Sequence, residues 1–590
     1  MVDRGRRMVE RDKNHASIFA FSLGNESGFG RNLDAERDWI KTHYPEFPVS
    51  YEPGGSADSD FYAPMYTTVA QIPATYRKSG KGRPMYLVEY AYSRGNATGD
   101  LQDYWDFFES QPYLHGGFIW DWQDKAILKT GSDGKRFYAY GGDFGDVPND
   151  EDQCANGIVG PDREPHPALA EVKKVYQPIR IEPVDLANGK IRVRNKHLFR
   201  DLSFMKGAWE LEENGAVVQR GTIPSLHTPP GHAEEVALGV AYSPKPGAEY
   251  FLKTEFALAA DSSWAPAGHI VAFEQLEMPN STVPVTSPDL AAMPALRVTE
   301  SESQYAISNG RFTAKISKVS GRLESYVLSG KELLNGGIRA NYWRPPTDDD
   351  NGYGMSQKLA VWRDAGPNST VKAIAYKQPQ PQLVWMEVQL AVPAAESILE
   401  YQYEVYGNGS IELESVLSPR GDLPDLPRVG TQFQIPGEFK NIAWFGRGPG
   451  ENYWDRKTGS PVSRYSATVD DMWFPYLKPQ ETGNRTDVRW VTFTNERGEG
   501  WKITGLPQFD FSAWPFRMTE LDHFAPSGVH GHRHPSEIEF SKDITVNIDY
   551  RQMGVGGDDG WGARPLPKYR LAATPEYRYK FRMEPMKRPE

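Results

Sequence analysis

The first 175 residues alternate between short apolar runs and stretches with apolar residues at helical spacing. Runs such as SIFAFSLGNE and MYLVEYAY are followed by amphipathic segments such as NLDAERDWIKTHYP and LQDYWDFFESQP. Strands that alternate with helices predict parallel strands joined by crossover helices, as in a (β/α)8 TIM barrel. The runs supply about four or five strands, whereas a closed barrel has eight. We therefore expect a partial barrel, about strands 4–8, over residues 1–177.

The pattern changes after this region to alternating polar and apolar residues in short runs separated by turn residues. This pattern is typical of antiparallel β-sheets. The stretch MPNSTVPVTSPDLAAMPA, residues 278–295, is rich in Pro, Ser and small residues and favours a linker. We predict an immunoglobulin-like β-sandwich over residues 178–280 and a large antiparallel β-sandwich over residues 296–590.

Composition narrows the possible partners. The 590-residue chain carries a formal charge of −12 and has no apolar run near the length of a membrane span. These features argue against nucleic-acid and membrane partners and favour a small, neutral substrate. The single cysteine, Cys154, and a charged N-terminal stretch without the apolar core of a secretory signal indicate a cytoplasmic protein.

Carboxylates stand where the predicted strands of the barrel region end, at Glu26, Glu52, Glu89 and Asp121. In barrels of this type the chemistry lies at the C-terminal ends of the strands. Glycosidic bonds are cleaved by a pair of carboxyl groups, and Glu26 and Glu89 are about two βα units apart. Strand-end carboxylates often only cap helices, however, so the pattern by itself leaves both interpretations open.

The sequences around these glutamates narrow the choice. SLGNESG, EYAYSRGN, GGFIWDWQD, YGGDFGDVPNDEDQCANGIV and DREPHPALAEVKKVYQPI resemble, in order and spacing, the second half of the catalytic barrel of glycoside hydrolase family 2 β-galactosidases of the large bacterial type. YWRPPTDDDNGYG, WFGRGPGENYWDR, YLKPQETGNRTDVRW and MGVGGDDGWG resemble the large C-terminal β-sandwich of those enzymes. The resemblance covers essentially the whole chain. It implies hydrolysis of terminal non-reducing β-D-galactose residues, as in lactose, by a retaining double-displacement mechanism.

The resemblance also implies the catalytic roles. Glu26 corresponds to the general acid/base and Glu89 to the nucleophile. Tyr66, in FYAPMY, corresponds to the tyrosine that contacts the nucleophile region. Asn25 corresponds to the asparagine that holds the 2-hydroxyl of the sugar, a contact that strengthens in the transition state.

Further residues are implied to bind substrate or metal. Trp120 corresponds to the hydrophobic wall under the galactose ring, and Trp561 to a residue on the aglycone side. Tyr92 stands where the family usually has a galactosyl-binding histidine, so the preferred sugar is less firmly implied than the hydrolysis. Asn156 corresponds to a sodium ligand, and Gln153 replaces a common aromatic residue that ligates only through its carbonyl.

Cofactors and partners follow from the same resemblance. It implies Mg²⁺, for which Glu26 is the only ligand of the family set in this chain, and Na⁺ or K⁺ at Asn156. It also implies that the chain begins midway through the barrel. We therefore expect a fragment with incomplete activity that assembles as a homotetramer or with a complementing N-terminal segment, and an export signal to the periplasm could lie upstream.

Two other interpretations remain open. The chain could be a non-catalytic carbohydrate-binding β-sandwich protein, or an inactive remnant, that keeps part of a barrel. Separately, the alternating histidines of HGHRH, residues 530–534, suggest zinc, but a strand edge or loop explains them more simply because no cysteine or carboxylate stands at ligand spacing.

Overall fold

A computed structural model describes residues 1–52, 59–283, 288–522 and 532–587. These residues form two compact units. The first unit comprises residues 1–168, 347–354 and 555–566, and the second comprises the rest of the described chain. In the described part of the chain no helix is both long enough and apolar enough to cross a membrane.

The α-helices are short and lie mostly in the first third of the chain. They are α1 (Val2–Asp12), α2 (Arg31–His43), α3 (Ile72–Ser79), α4 (Leu101–Ser110), α5 (Ala168–Val175), α6 (Asp348–Gly352) and α7 (Met355–Lys358).

The β-strands run through the whole chain and become longer towards its end. They are β1 (Phe21–Ser22), β2 (Val49–Ser50), β3 (Met85–Tyr90), β4 (Leu114–Ile119), β5 (Ile127–Thr130), β6 (Arg136–Ala139), β7 (Ile179–Asp185), β8 (Lys190–Asn195), β9 (Met205–Glu213), β10 (Ala216–Ile223), β11 (Ala233–Ala237), β12 (Tyr250–Leu258), β13 (Ile270–Glu277), β14 (Arg297–Glu300), β15 (Gln304–Ser308), β16 (Phe312–Ser317), β17 (Leu323–Leu328), β18 (Lys331–Glu332), β19 (Gly336–Asn341), β20 (Thr370–Gln380), β21 (Leu383–Ala391), β22 (Ile398–Tyr406), β23 (Ile411–Ser418), β24 (Arg428–Pro436), β25 (Asn441–Arg447), β26 (Val462–Thr468), β27 (Arg485–Thr494), β28 (Gly500–Phe516), β29 (Phe540–Gln552) and β30 (Tyr577–Met586).

The first unit has the parallel pairing that the strand and helix pattern predicts. β1 pairs in parallel with β2, and β3 pairs in parallel with β4, with α2 and α4 between the partners along the chain. Tyr62 and Met65 extend the second pair through parallel bridges to β3. Together with the β-sandwich regions below, this arrangement confirms the predicted fold class, a partial barrel followed by antiparallel β-sheets.

The strand predicted over SIFAFSLGNE is shorter than its apolar run suggests. Only Phe21 and Ser22 pair with β2, and the chain then leaves the ladder before Glu26. Phe21 packs in a small core with Val9 of α1 and Ile40 of α2, whereas Phe19 is 69% exposed. An apolar run by itself therefore does not define the length of a strand. Only Phe21 and Ser22 of this run have strand partners in the described part of the chain.

The second unit begins with a β-sandwich. The three-stranded sheet β11-β8-β7 and the four-stranded sheet β10-β9-β12-β13 bury a common core that includes Ile191, Trp209 and Leu252. All of these strand pairs are antiparallel. β13 ends at Glu277 and β14 begins at Arg297, on either side of the predicted linker. The three-domain division itself stays a prediction.

The rest of the second unit is built on a twelve-stranded antiparallel sheet. Its main path runs β19-β24-β29-β28-β30-β23-β22-β21-β20, and β27, β25 and β26 branch from β28; a separate sheet contains β14 to β18. Alternate residues of β21 and β22 are buried, as a strand with one face on a core requires. The core contains fully buried tryptophans, namely Trp343, Trp362, Trp444, Trp501 and Trp514.

Candidate active site

Glu89 and Tyr66 form the most closely bonded pair among the predicted site residues. Glu89 is the penultimate residue of β3, and the Tyr66 N–H donates to the Glu89 carbonyl at 2.9 Å. The Tyr66 hydroxyl donates to Glu89 Oε2 at 2.7 Å. Tyr66 adopts a φ of +45°, a strained conformation for a residue with a side chain, and such strain is often found at functional sites. The phenol is thus held on the carboxylate predicted to be the nucleophile.

The surroundings of Glu89 favour its neutral form. Burial raises the pKa of this carboxyl, and the charges of Glu26, Glu52 and Asp121 raise it further, while the Tyr66 hydrogen bond lowers it. A nucleophile must be ionised, so it needs positive charge or hydrogen-bond donors nearby. Burial also raises the pKa of Tyr66, and so do its hydrogen bond to Glu89 and the charge of that carboxylate. Tyr66 therefore remains a proton donor.

Glu26 and Asn25 lie in the exposed turn that follows β1. The backbone N–H of Glu26 donates to Glu52 Oε2 at 3.2 Å, and Ser27 Oγ donates to the Asn25 carbonyl at 3.0 Å. Glu26 has a φ of +52°, so the turn holds this residue in a left-handed conformation. The exposed side chain of Glu26 is available to a substrate.

Glu52 is a buried carboxylate whose contact the sequence did not reveal. It is 8% exposed, and burial raises its pKa; the charge of Glu26 acts in the same direction, while the hydrogen bond from the Glu26 backbone lowers it. The carboxylate anchors the turn that carries the predicted acid/base. The position of Glu52 at the end of a predicted strand could be seen in the sequence. Its partner, Glu26, lies 26 residues away, so no local pattern predicts the contact between them.

Three aromatic side chains converge beside Glu89. The Trp561 ring centroid lies 4.8 Å from that of Tyr66 and 5.5 Å from that of Tyr92, both edge to face. The Tyr66 and Tyr92 centroids are 5.9 Å apart. Tyr92 is buried, whereas Trp561 is 56% exposed and offers a ring surface on which a sugar could stack.

A turn built on Asp559 positions Trp561. Asp559 Oδ1 accepts the backbone N–H groups of Trp561, Gly562 and Ala563 at 3.0, 2.8 and 2.9 Å. A Cβ at Gly560 would lie 2.6 Å from the Tyr92 ring, so only glycine permits this approach. The GDDGW motif contained the signal for this turn, since aspartate commonly accepts hydrogen bonds from the backbone that follows it.

Helix α6 adds buried carboxylates near Tyr92. Thr347 and Asp350 form a capping box that begins the helix. Asp349 is 3% exposed, and burial together with the charges of Asp348 and Asp350 raises its pKa well above the ordinary range. A neutral Asp349 is the state that this environment stabilises. The acidic run TDDDNG gave no hint of that burial.

Asn156 is bonded within the chain rather than open to a metal. Asn156 Oδ1 accepts from Lys125 Nζ at 2.7 Å, and its amide donates to the Gln153 carbonyl at 3.1 Å. Lys125 also pairs with Asp121, and its ammonium lies 5.6 Å from the ring centroid of Trp120. The sodium site at Asn156 therefore stays a prediction.

The residues described here do not assemble the other expected metal sites. No three His, Cys, Asp or Glu side chains within the described ranges are arranged to hold a metal ion, so Glu26 stands without further magnesium ligands there. His530 of the HGHRH motif lies outside the described residues. His532 Nε2 lies 2.6 Å from Glu520 Oε2, an ion-pair or hydrogen-bond contact. No catalytic step below depends on a metal.

Family models match most of the chain in three consecutive segments. The model described as "Glycosyl hydrolases family 2, TIM barrel domain" matches residues 1–181. "Beta-galactosidase, domain 4" matches residues 191–279, and "Beta galactosidase small chain" matches residues 308–583. The barrel match contains Glu26, Tyr66 and Glu89, and the small-chain match contains Trp561.

Curated relatives extend over the same residues. A protein named Beta-galactosidase from Priestia megaterium is 38% identical over 593 residues, which cover 99% of this chain and 56% of the relative. A protein of the same name from Vibrio cholerae is 34% identical over 601 residues, which cover 97% of this chain and 56% of the relative. The chain thus spans a little over half the length of these relatives.

Proposed function

Because the chain belongs to glycosyl hydrolases family 2, we propose that it supplies the catalytic glutamate pair of a retaining β-galactosidase. The observation that carries this proposal is the Tyr66 hydroxyl held 2.7 Å from Glu89 Oε2, with the Glu26 carboxylate near enough to raise the pKa of Glu89. A carboxyl whose pKa is raised by burial and by nearby carboxylates, as that of Glu89 is, is typical of catalytic sites. The substrate is a small β-galactoside such as lactose.

The first step forms a covalent intermediate. Glu89 attacks the anomeric carbon while the bond between that carbon and the glycosidic oxygen breaks. Glu26 donates its proton to that oxygen, so the aglycone leaves as an alcohol. Tyr66 donates to Glu89 and lowers its pKa, which favours the ionised nucleophile. Asn25 holds the 2-hydroxyl, where hydrogen bonds strengthen as the ring gains oxocarbenium character.

The second step releases the sugar with its original configuration. Glu26, now ionised, accepts a proton from water while the water oxygen attacks the anomeric carbon and the bond to Glu89 breaks. Two inversions at one carbon give net retention. Trp120 lies under the sugar ring, Trp561 on the aglycone side, and Tyr92 against the galactosyl hydroxyls.

Completion of the site by a further barrel segment belongs to this proposal. The first unit leaves large aromatic side chains exposed, including Phe29 at 67% and Phe118 at 63%, which a further barrel segment would cover. We place the assembled enzyme in the cytoplasm, as a homotetramer. The chain contributes Glu26 toward a magnesium site and Asn156, whose Oδ1 also accepts from Lys125, toward a site for Na⁺ or K⁺.

Azide rescue tests the two roles separately. The full chain, combined with the part of the Priestia megaterium relative that it does not cover, is assayed on 2-nitrophenyl β-D-galactoside. Glu26→Ala should accumulate the covalent intermediate, which azide opens to β-galactosyl azide. Glu89→Ala lacks the first displacement, so azide should give the α anomer. Glu46→Ala, at an exposed residue, is the matched control.

The same assay decides against the proposal in three cases. Formation of one anomer by both variants would remove the assigned division of roles. Activity of both variants equal to Glu46→Ala would show that hydrolysis does not depend on Glu26 or Glu89. Absence of any hydrolysis by the combined wild-type chains would favour the inactive remnant.

A further inference from the structure

The second unit contains a cavity of about 590 Å³ that the proposed reaction does not use. We call it the arginine cavity and define it by six of its lining residues, Arg322, Arg339, Arg517, Gln432, Gln434 and Thr545. The volume lies within the range of pockets that bind small molecules, roughly 300–1,000 Å³. The lining is polar, which is unusual for a β-sheet face that lies inside a cavity.

The register of three strands creates the floor of this cavity. Arg339 of β19 lies opposite Gln432 of β24, and Gln434 of β24 lies opposite Thr545 of β29. Residues two apart on a strand share a face, so all four side chains lie on one face of the sheet. Arg339 Nη2 donates to Gln432 Oε1 at 2.5 Å, and Gln432 Nε2 donates to Asn547 Oδ1 at 3.0 Å. This network holds Arg339 in place.

Thr545 offers a free polar group to the cavity. The residue is 2% exposed, and its hydroxyl has no hydrogen-bond partner among the described residues. A buried hydroxyl without a partner is unfavourable. In a cavity, such an atom indicates a place where a ligand can form a hydrogen bond.

Positive charge accumulates at the same place. Burial lowers the pKa of Arg339, and the charges of Arg322 and Arg517 lower it further. Arg322 Nη2 donates to the Pro367 carbonyl at 2.5 Å, and no carboxylate in the described ranges forms an ion pair with any of the three arginines. Glu324 also lines the cavity, where it accepts from Ser320 Oγ at 2.7 Å. The cavity therefore keeps a net positive lining.

We propose that the arginine cavity binds a small oxyanion that also carries hydroxyl groups, such as a sugar phosphate or a sugar acid. Guanidinium groups recognise phosphate and carboxylate through paired hydrogen bonds. The amides of Gln432 and Gln434 and the hydroxyl of Thr545 provide the donors and acceptors that sugar hydroxyls need. The anion relieves the mutual repulsion of the three arginines, so its binding stabilises this part of the fold.

Calorimetric titration of the full chain tests the site. The probes are galactose 6-phosphate, galacturonate and inorganic phosphate, with neutral galactose as the reference. We expect saturable binding of at least one of the two sugar anions, tighter than inorganic phosphate and weakened by added salt. Whichever of the phosphate and the carboxylate sugar binds more tightly identifies the oxyanion.

Variants locate the binding and control for folding. Arg517→Gln removes an exposed guanidinium and should weaken binding about tenfold, since a hydrogen bond to a charged group is worth about that factor. Thr545→Val should weaken binding while the unliganded chain unfolds at the same temperature or higher. Arg297→Gln, at an exposed arginine outside the cavity, should leave binding unchanged.

Three results would overturn the proposal. The first is no saturable heat with either sugar anion. The second is equal affinity of Arg517→Gln, Thr545→Val and the unmodified chain. The third is binding of inorganic phosphate as tightly as galactose 6-phosphate, which would leave the polar floor without a role.

Discussion

The two compact units of this chain provide contrasting examples of how tryptophan side chains are buried. In the second unit, fully buried tryptophans such as Trp501 and Trp514 pack inside a twelve-stranded sheet. In the first unit, β1 and β2 have two residues each, and Trp122 is 63% exposed. The proposed catalytic glutamates thus stand in a unit that leaves large aromatic side chains such as Trp122 exposed.

The predicted nucleophile also differs in its surroundings from the buried ion pairs of the second unit. In the second unit, buried carboxylates meet arginines, as Glu249 does with Arg489 Nε at 2.8 Å and Glu412 with Arg582 Nε at 2.9 Å. At Glu89 of the first unit, burial raises the pKa of the carboxyl, and the charges of Glu26, Glu52 and Asp121 raise it further. A carboxyl perturbed in this way is a candidate for catalysis, whereas a carboxylate paired with an arginine is commonly structural.

The largest expected effect is the loss of activity without loss of fold in Glu89→Gln. The substitution removes the nucleophile, so kcat of the chain with its completing segment should fall by at least about 10⁴-fold, about 5 kcal/mol in activation free energy. The free energy of unfolding should not decrease, because one of several mutually repelling carboxylates is removed. Steady-state kinetics and urea unfolding measure both. Loss of stability with retained kcat would reverse the contrast between the two units.

A matched pair of tryptophan substitutions tests the difference in burial. Trp501 is fully buried and its Nε1 donates to the Leu333 carbonyl at 2.9 Å, so Trp501→Ala should destabilise the second unit by about 3–5 kcal/mol. Trp122→Ala, in the isolated chain, should change the free energy of unfolding by less than about 0.5 kcal/mol. Urea unfolding followed by fluorescence measures each. Equal effects would show that the two units bury their aromatic residues alike.

Tyr66→Phe should have a smaller effect, confined to the chemistry. Loss of the hydroxyl removes the hydrogen bond that lowers the pKa of Glu89, so that pKa rises. Since the nucleophile must be ionised, the acidic limb of kcat/KM should move to higher pH, and kcat should fall about 10–100-fold, about 1.4–2.7 kcal/mol. A pH profile of kcat/KM measures this. An unchanged acidic limb would mean that Tyr66 does not tune Glu89.

The smallest expected effect is a pH dependence of the second unit. Burial raises the pKa of Asp510 from 3.8 to about 7, and the charge of Asp487 acts in the same direction. The folded state therefore holds a proton that the unfolded state releases above pH 4 or so. The stabilisation that this proton provides is complete below the pKa of Asp510 in the unfolded state. It is lost as the pH rises through about 7. Asp510 alone should lower the free energy of unfolding by about 1 kcal/mol between pH 6 and 8.

Asp510→Asn stays neutral and should reduce that dependence by the part that Asp510 contributes. Asp549, whose pKa burial raises to about 8, titrates over the same range and keeps a slope of its own. Asp470→Asn, at an exposed aspartate, is the control and should keep the full dependence. Urea unfolding at both pH values measures the three chains. An unchanged slope in Asp510→Asn would contradict the assignment of the proton to this residue.

Sequence periodicity predicted the fold class and the region that carries the two glutamates. The alternation of residues along β21 and β22 and the strand and helix alternation before residue 177 are local patterns, so they can be recognised without a structure. Strand length was less predictable. The run SIFAFSLGNE continues past Ser22, but pairing depends on a neighbour that the run itself does not specify.

The contacts that shape the candidate site come from distant parts of the chain. Trp561 contacts Tyr66 and Tyr92, which lie hundreds of residues earlier in the chain. This contact requires glycine at position 560, because a Cβ there would collide with the Tyr92 ring. The ammonium of Lys125 donates to Asn156, although lysine at that position gave no local signal of this contact. Such contacts are set by tertiary packing, which composition and spacing do not encode.

The most direct test of the central claim is to trap the covalent intermediate on Glu89. The full chain with its completing segment is treated with 2-deoxy-2-fluoro-β-D-galactosyl fluoride, whose fluorine slows hydrolysis of the intermediate, and the labelled peptide is sequenced by mass spectrometry. The account predicts one fluorogalactosyl group, on Glu89 in RPMYLVEY. A label on any other residue, or turnover of galactosides by a chain that takes no label, would contradict it.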